Sequence, residues 1–125
     1  MTLQVIKDAD LQGWTVLHVA GEVDYAVVPE LREHVRRAVA EGHHRIVLEL
    51  TGVEFCDSTG IGTLVAARRL LRSTGGSLRL VMPRNNDHHV NRVFTALGLR
   101  RLFDVHPVLA DALAASSDED LSEAG

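Results

Sequence analysis

The amino-acid sequence predicts an α/β fold, a mixed β-sheet of about four or five strands with about four helices mainly on one face. Three observations lead there. Short β-branched runs alternate with stretches whose apolar residues recur every three or four positions. Gly or Pro punctuates most of the junctions. The run Arg45 to Leu50 is apolar almost throughout, apart from Glu49, as expected of a strand covered on both faces in a parallel position.

Leu3 and Val5 start a short edge strand, and Trp14 to Ala20 alternates as its neighbour, with a hairpin through Asp8 to Gly13. From Val27 to Ala40 the residues Val27, Val28, Leu31, Val35 and Val39 form a helical stripe that ends at Gly42, with Pro29 where a first turn tolerates it. The strand Arg45 to Leu50 follows. A second helix spans Gly60 to Ser73, closed by Gly75 and Gly76, and a strand from Leu78 to Met82 stops at Pro83. Residues 86 to 97 form a third helix ending at Gly98, Arg101 to Val105 a last strand, and Val108 to Ala114 a short final helix. The order is β-β-α-β-α-β-α-β-α. One domain covers residues 1 to 115, and the acidic stretch SSDEDLSEAG, 116 to 125, reads as a mobile tail because it has almost no apolar side chain to bury.

Composition excludes several classes. The chain has 125 residues and 13.7 kDa, enough for one domain with a core, and 46% hydrophobic against 24% charged residues is the balance of a globular protein. A formal net charge of −4, with basic residues scattered among acids, leaves no footprint for a phosphate backbone, so no nucleic-acid partner is expected. No apolar run is long enough to span a membrane and the start has no basic leader, so the expected address is cytoplasmic, with no membrane partner. Cys56 is the single cysteine, which rules out an intramolecular disulfide; its expected role is packing.

The densest chemistry lies in EFCDSTGIG, residues 54 to 62. A serine at a strand-to-helix turn invites comparison with the hydrolase elbow, but G-x-S-x-G needs glycine at position 56, where Cys56 stands, and only Gly60 fits. His18, His34, His88, His89 and His106 sit in no recognisable triad setting, so a serine hydrolase is the remote alternative. Gly60 and Gly62 lie at a helix start, yet neither G-x-x-x-x-G-K-[ST] nor G-x-G-x-x-G is present. The pairs His43-His44 and His88-His89 point about 100° apart on a helix, unlike the i, i+4 spacing of shared metal ligands, and read as surface histidines. No cofactor or metal is expected. Asp57, Ser58 and Thr59 all suit a helix N-terminus, but capping needs one of them, and Gly62 in the first turn costs about 1 kcal/mol relative to alanine. Asp24 in AGEVDY reads as a turn or cap residue, and Arg68, Arg69 and Arg72 as the solvated sector of the second helix, able to meet an acidic partner.

These pieces resemble the STAS domain family, specifically the bacterial anti-sigma-factor antagonists. The resemblance runs from about Leu3 to Leu113 through GEVDYAVVPELREHV, IVLELTGVEFCDSTGIGTLVAARRLLRSTGGSLRLV and VNRVFTALGLRRLFDV. It departs at Glu49, where the family usually shows Asp, and at PRNNDHH, longer and more polar than usual. The resemblance implies a phosphoacceptor at Ser58 and a partner-binding switch loop of Asp24, Asp57, Thr59, Gly60, Ile61, Gly62 and Thr63. It also implies a protein without catalysis of its own that, unphosphorylated, binds an anti-sigma factor acting as a serine kinase and so frees a sigma factor. ATP and Mg would be used by that kinase, and a serine phosphatase would reset the switch. The alternative is a STAS scaffold module of a signalling or lipid-transport complex with no phosphoswitch. On this reading Gly60 and Gly62 let the kinase approach the backbone, and Thr63 and Ala67 continue a shallow exposed stripe.

Overall fold

Gln12 and Gly13 adopt φ of 55° and 85° and close a two-residue turn between β1 (Leu3–Leu11) and β2 (Trp14–Val23). Two successive positive φ values match the right-handed twist of the strands they join, so the hairpin is tighter than the Asp8 to Gly13 connection expected. The computed structural model describes residues 3 to 85 and 87 to 115; the acidic stretch 116 to 125 lies outside them. Beyond the hairpin come α1 (Val28–Ala40), β3 (Arg45–Cys56), α2 (Ser58–Ser73), β4 (Ser77–Val81), α3 (His89–Leu97), a 3-10 turn (Leu99–Arg101), β5 (Asp104–His106) and α4 (Leu109–Ala114).

The sheet order is β1-β2-β3-β4-β5, antiparallel between β1 and β2 and parallel thereafter. Strands taken in chain order, each joined by a right-handed crossover, deliver every connecting helix to the same face. Leu31 and Val35 of α1, Leu64 and Leu71 of α2 and Val90 and Phe94 of α3 accordingly share one core with Leu17, Leu48 and Leu80 of the sheet. The helix α4 follows the last strand and is free of that rule. It covers the opposite face, where Ala112, Leu109 and Leu113 pack on Trp14, Val16, Val47 and Val81.

Strand alternation also turns Arg79 towards this second face, where it is 1% exposed. Its Nε donates to Asp104 Oδ2 at 3.0 Å, Nη1 donates to the Ala112 carbonyl of α4, and the guanidinium lies 4.3 Å from the Trp14 ring centroid. Carboxylate, helix carbonyl and aromatic face together offset the desolvation of the charge. Among the described residues no helix is long and apolar enough to cross a membrane.

Several boundaries differ from expectation for local physical reasons. β2 and β3 run on to Val23 and Cys56 rather than ending at Ala20 and Leu50. Their polar ends look like loops, but β2 and β3 pair with each other through two register irregularities, and a side chain at Gly52 would lie 3.0 Å from the Ala20 Cβ. α2 begins at Ser58 rather than Gly60. α3 begins at His89 rather than 86 because Asn85 claims the preceding amides: its Oδ1 accepts from Asp87 N at 2.9 Å and its carbonyl from His88 N at 2.9 Å. The last strand is Asp104–His106 rather than Arg101 to Val105, since Gly98 at φ 66° leads into a 3-10 turn that consumes Leu99 to Arg101.

Replacing Arg79 by alanine is expected to lower stability in a urea titration by about 3 kcal/mol. Amide exchange should show protection lost first in α4, whose Ala112 carbonyl loses its donor.

Candidate functional site

One residue separates β3 from α2, and it does the capping. Asp57 is extended (φ −92°, ψ −175°), and its Oδ1 accepts from the Gly60 amide at 2.9 Å and from the Thr59 hydroxyl at 2.6 Å. Its other oxygen reaches across to the β2–α1 connection and accepts from the Tyr25 amide at 3.1 Å. The Thr59 hydroxyl above all, with the Gly60 and Tyr25 amides, holds the Asp57 carboxyl below the usual carboxylate range, against a smaller opposing effect of desolvation. Asp57 thus ties the β3–α2 junction to the β2–α1 connection beside it at the C-terminal ends of the two strands.

Because Asp57 is the cap, Ser58 is not. Ser58 is the first residue of α2, exposed, and among the described residues its hydroxyl has no hydrogen-bond partner. Asp24 closes the neighbouring turn: Oδ1 accepts from Ala26 N at 3.0 Å, and its carbonyl accepts from Val27 N and Val28 N, each at 3.1 Å. The turn chemistry read from the sequence therefore holds, with Asp24 three residues ahead of Val27, the residue at the cap position of α1. The sequence offered no periodic signal for Tyr25, which follows Asp24 and is 75% exposed at the rim of this site.

The two glycines serve different ends. A Cβ at Gly60 would lie 2.6 Å from the Cys56 sulfur and 2.7 Å from the Val23 carbonyl oxygen, so α2 can seat on the sheet only with glycine there. Gly60 is buried, and its smallness answers to internal packing rather than to an approaching enzyme. Gly62 has open space around it and is exposed. Ile61 at 8% exposure and Thr63 at 2% face inward, and Thr63 donates to the Thr59 carbonyl at 3.0 Å. Thr63 and Ala67 are not an exposed stripe but part of the lining of a cleft between α1 and α2, because the face on which they lie is the one α2 turns to α1. Of the phosphoacceptor and switch-loop residues expected from the sequence, Ser58, Asp24, Asp57, Thr59 and Gly62 reach the surface.

Cys56 is buried behind the site, and burial, then the Asp57 charge, pushes its thiol up to about 12, which removes it as a nucleophile. His88 and His89 are half-buried anchors of α3 rather than free surface groups. The His88 Nδ1 accepts from Asn91 N at 3.4 Å, while His89 Nε2 lies 3.1 Å from the Cys56 carbonyl and its ring stacks on Phe55 at 5.0 Å. Among the described residues no three His, Cys, Asp or Glu side chains cluster to hold a metal ion.

Two predictions separate these roles. Gly60→Ala should destabilise by about 2 kcal/mol through steric conflict, whereas Gly62→Ala should stabilise by about 1 kcal/mol, both read from thermal unfolding. Asp57→Ala should cost about 1 kcal/mol at neutral pH through loss of the cap. The folded pKa of Asp57 lies below its unfolded value, so the cap's contribution is complete above about pH 4 and is lost as pH falls through the folded value; wild type and variant should converge in acid.

Comparison with known proteins agrees with this architecture. The model of the STAS domain matches residues 3–112. The anti-sigma-B factor antagonist of Bacillus subtilis is 33% identical over 90 residues, 71% of this chain and 78% of that one. The anti-sigma-F factor antagonist RsfB of Mycobacterium tuberculosis is 31% identical over 106 residues, 84% of this chain and 83% of its own. A crystal structure of an anti-sigma factor antagonist from Mycobacterium paratuberculosis superposes with a TM-score of 0.78 at 28% identity, covering 90% of this chain and 92% of that one. By the reach of the family match and by these relatives, the chain belongs to the STAS domain family.

Proposed function

We propose that this protein is an anti-sigma-factor antagonist: unphosphorylated, it binds an anti-sigma factor that is also a serine kinase, so freeing a sigma factor, and phosphorylation of Ser58 ends the complex. The carrying observation is the division of labour at the start of α2, where Asp57 caps the helix and leaves the Ser58 hydroxyl exposed and, among the described residues, unbonded. A capping serine has its oxygen engaged; this one is presented. Relatives named for the same activity support the reading.

The chemistry of the site supports a receiver of phosphate rather than a nucleophile. Among the described residues no base contacts the Ser58 hydroxyl, whereas Ser–His catalysis needs one within hydrogen-bond reach. A phosphoryl group adds about −1.5 to −2 charges at pH 7, and at a helix N-terminus the unpaired amides and the macrodipole favour it. The fold therefore tolerates modification. A partner surface packed on Ser58 does not, because it must desolvate a dianion beside the ionised Asp57 carboxylate. The protein acts by binding, with ATP and Mg belonging to the kinase, and a phosphatase restores the binding form.

The test is capture of the kinase from native cytosol, then calorimetric titration and intact-mass measurement with ATP and Mg. Ser58→Ala should bind as wild type and stay unmodified, while Ser58→Glu should bind at least about tenfold more weakly. Equal affinity of the phosphorylated and unphosphorylated forms overturns the switch. Binding with no phosphate on Ser58 favours a scaffold module instead.

A further inference from the structure

The helix α2 carries Arg68, Arg69 and Arg72 and no acidic residue, within a chain whose net charge is −4. Beside it, a cleft of about 260 Å³ opens between α1 and α2, lined by Val35, Thr63, Ala66, Ala67 and Leu70 with Arg32 and Arg36 on its α1 side. The lining is almost wholly apolar apart from those two guanidinium groups, and no carboxylate belongs to it. Arg36 is engaged by Glu33 on the same helix at 2.6 Å. Among the described residues Arg32 and Arg69 have no carboxylate partner, and Arg69 lies three residues along α2 from Ala66, while Arg68 and Arg72 lie on the side of α2 turned from the cleft.

We infer that the α1–α2 cleft is a docking surface for an acidic amphipathic helix of a protein partner, which inserts aliphatic side chains over Ala66, Ala67 and Leu70 and sets carboxylates against Arg32 on the α1 side and against Arg69, three residues along α2 from Ala66. The volume suits a pair of leucines one turn apart rather than a small polar ligand, and a groove between two helices with an apolar floor is what an amphipathic helix recognises. Charge chooses the partner's sign: a basic or neutral helix would leave Arg32 and Arg69 unpaired, whereas an acidic one pairs them and gains electrostatic steering. This surface adjoins Ser58 on α2 but does not include it, so it stands whether or not Ser58 is phosphorylated.

The test titrates the ¹⁵N-labelled protein with a synthetic helix of about 14 residues that has leucines at i and i+4 flanked by glutamates, and with the same peptide flanked by lysines. The glutamate peptide should shift the amides of Val35, Ala66, Ala67 and Leu70, and the lysine peptide should bind at least about tenfold more weakly. Ala66→Trp, at an exposed position that leaves the core untouched, should abolish binding, and Arg32→Glu should weaken it about tenfold, with unchanged circular dichroism in both. No shifts at peptide concentrations near about 1 mM, equal binding of both peptides, or shifts that map away from the cleft overturn the inference. So do concentration-dependent shifts at these residues without peptide, which Ala66→Trp removes, since the occupant is then a second copy of this chain.

Discussion

The handedness of the crossovers governs this protein. With β2, β3, β4 and β5 taken in chain order, right-handed connections leave no choice of face for α1, α2 and α3. All three start at the same edge of the sheet, beyond the C-terminal ends of the strands they follow. The β2–α1 and β3–α2 connections therefore lie side by side, and a carboxylate in one can hold an amide in the other. The contact from Asp57 to the Tyr25 amide depends on that adjacency.

The same order decides what kind of site forms there. Doubly wound sheets bind small molecules in the crevice where strand order reverses, and this order has no reversal. The starts of α1 and α2 instead stand side by side at the strand ends and present an exposed surface around Tyr25, Ser58 and Thr59. On that surface the side chains divide the work: Asp57 satisfies the helix end, Thr59 donates to Asp57, Gly60 admits the helix to the sheet, and Ser58 is left to face outward. A helix start built this way accepts a phosphate with little structural cost, since its cap does not depend on the serine oxygen.

Covering one face with three helices leaves the other, among the described residues, to a single short one. A six-residue helix such as α4 is too short to be stable alone. It is held by an apolar patch around Trp14 and by Arg79, whose buried charge is shared among Asp104, the Ala112 carbonyl and the Trp14 ring. The arginine at the centre of β4 is thus the polar exception that an apolar strand carries for a structural reason, and it fixes the position of α4.

Fold class, element order and the helix-rich face were legible in the sequence, because period-2 and period-3.6 patterns and glycine breaks are local properties. The oddity of the 54 to 62 stretch was legible too, since it carries more polar and small residues than a helix start requires. What the residues alone left open was which of Asp57, Ser58 and Thr59 caps the helix, because all three are competent and only the extended backbone at 57 and the reach to Tyr25 select one. The extension of β2 and β3 through polar residues, the shift of the last strand behind a 3-10 turn, and the inward facing of Gly60, Ile61 and Thr63 were likewise invisible, each being set by pairing or packing with residues distant in the chain. Sequence by itself determined that a serine stands at the start of a helix; tertiary structure decided that its hydroxyl has no partner among the described residues, because the neighbouring carboxylate already holds the Gly60 amide that a capping serine would otherwise serve.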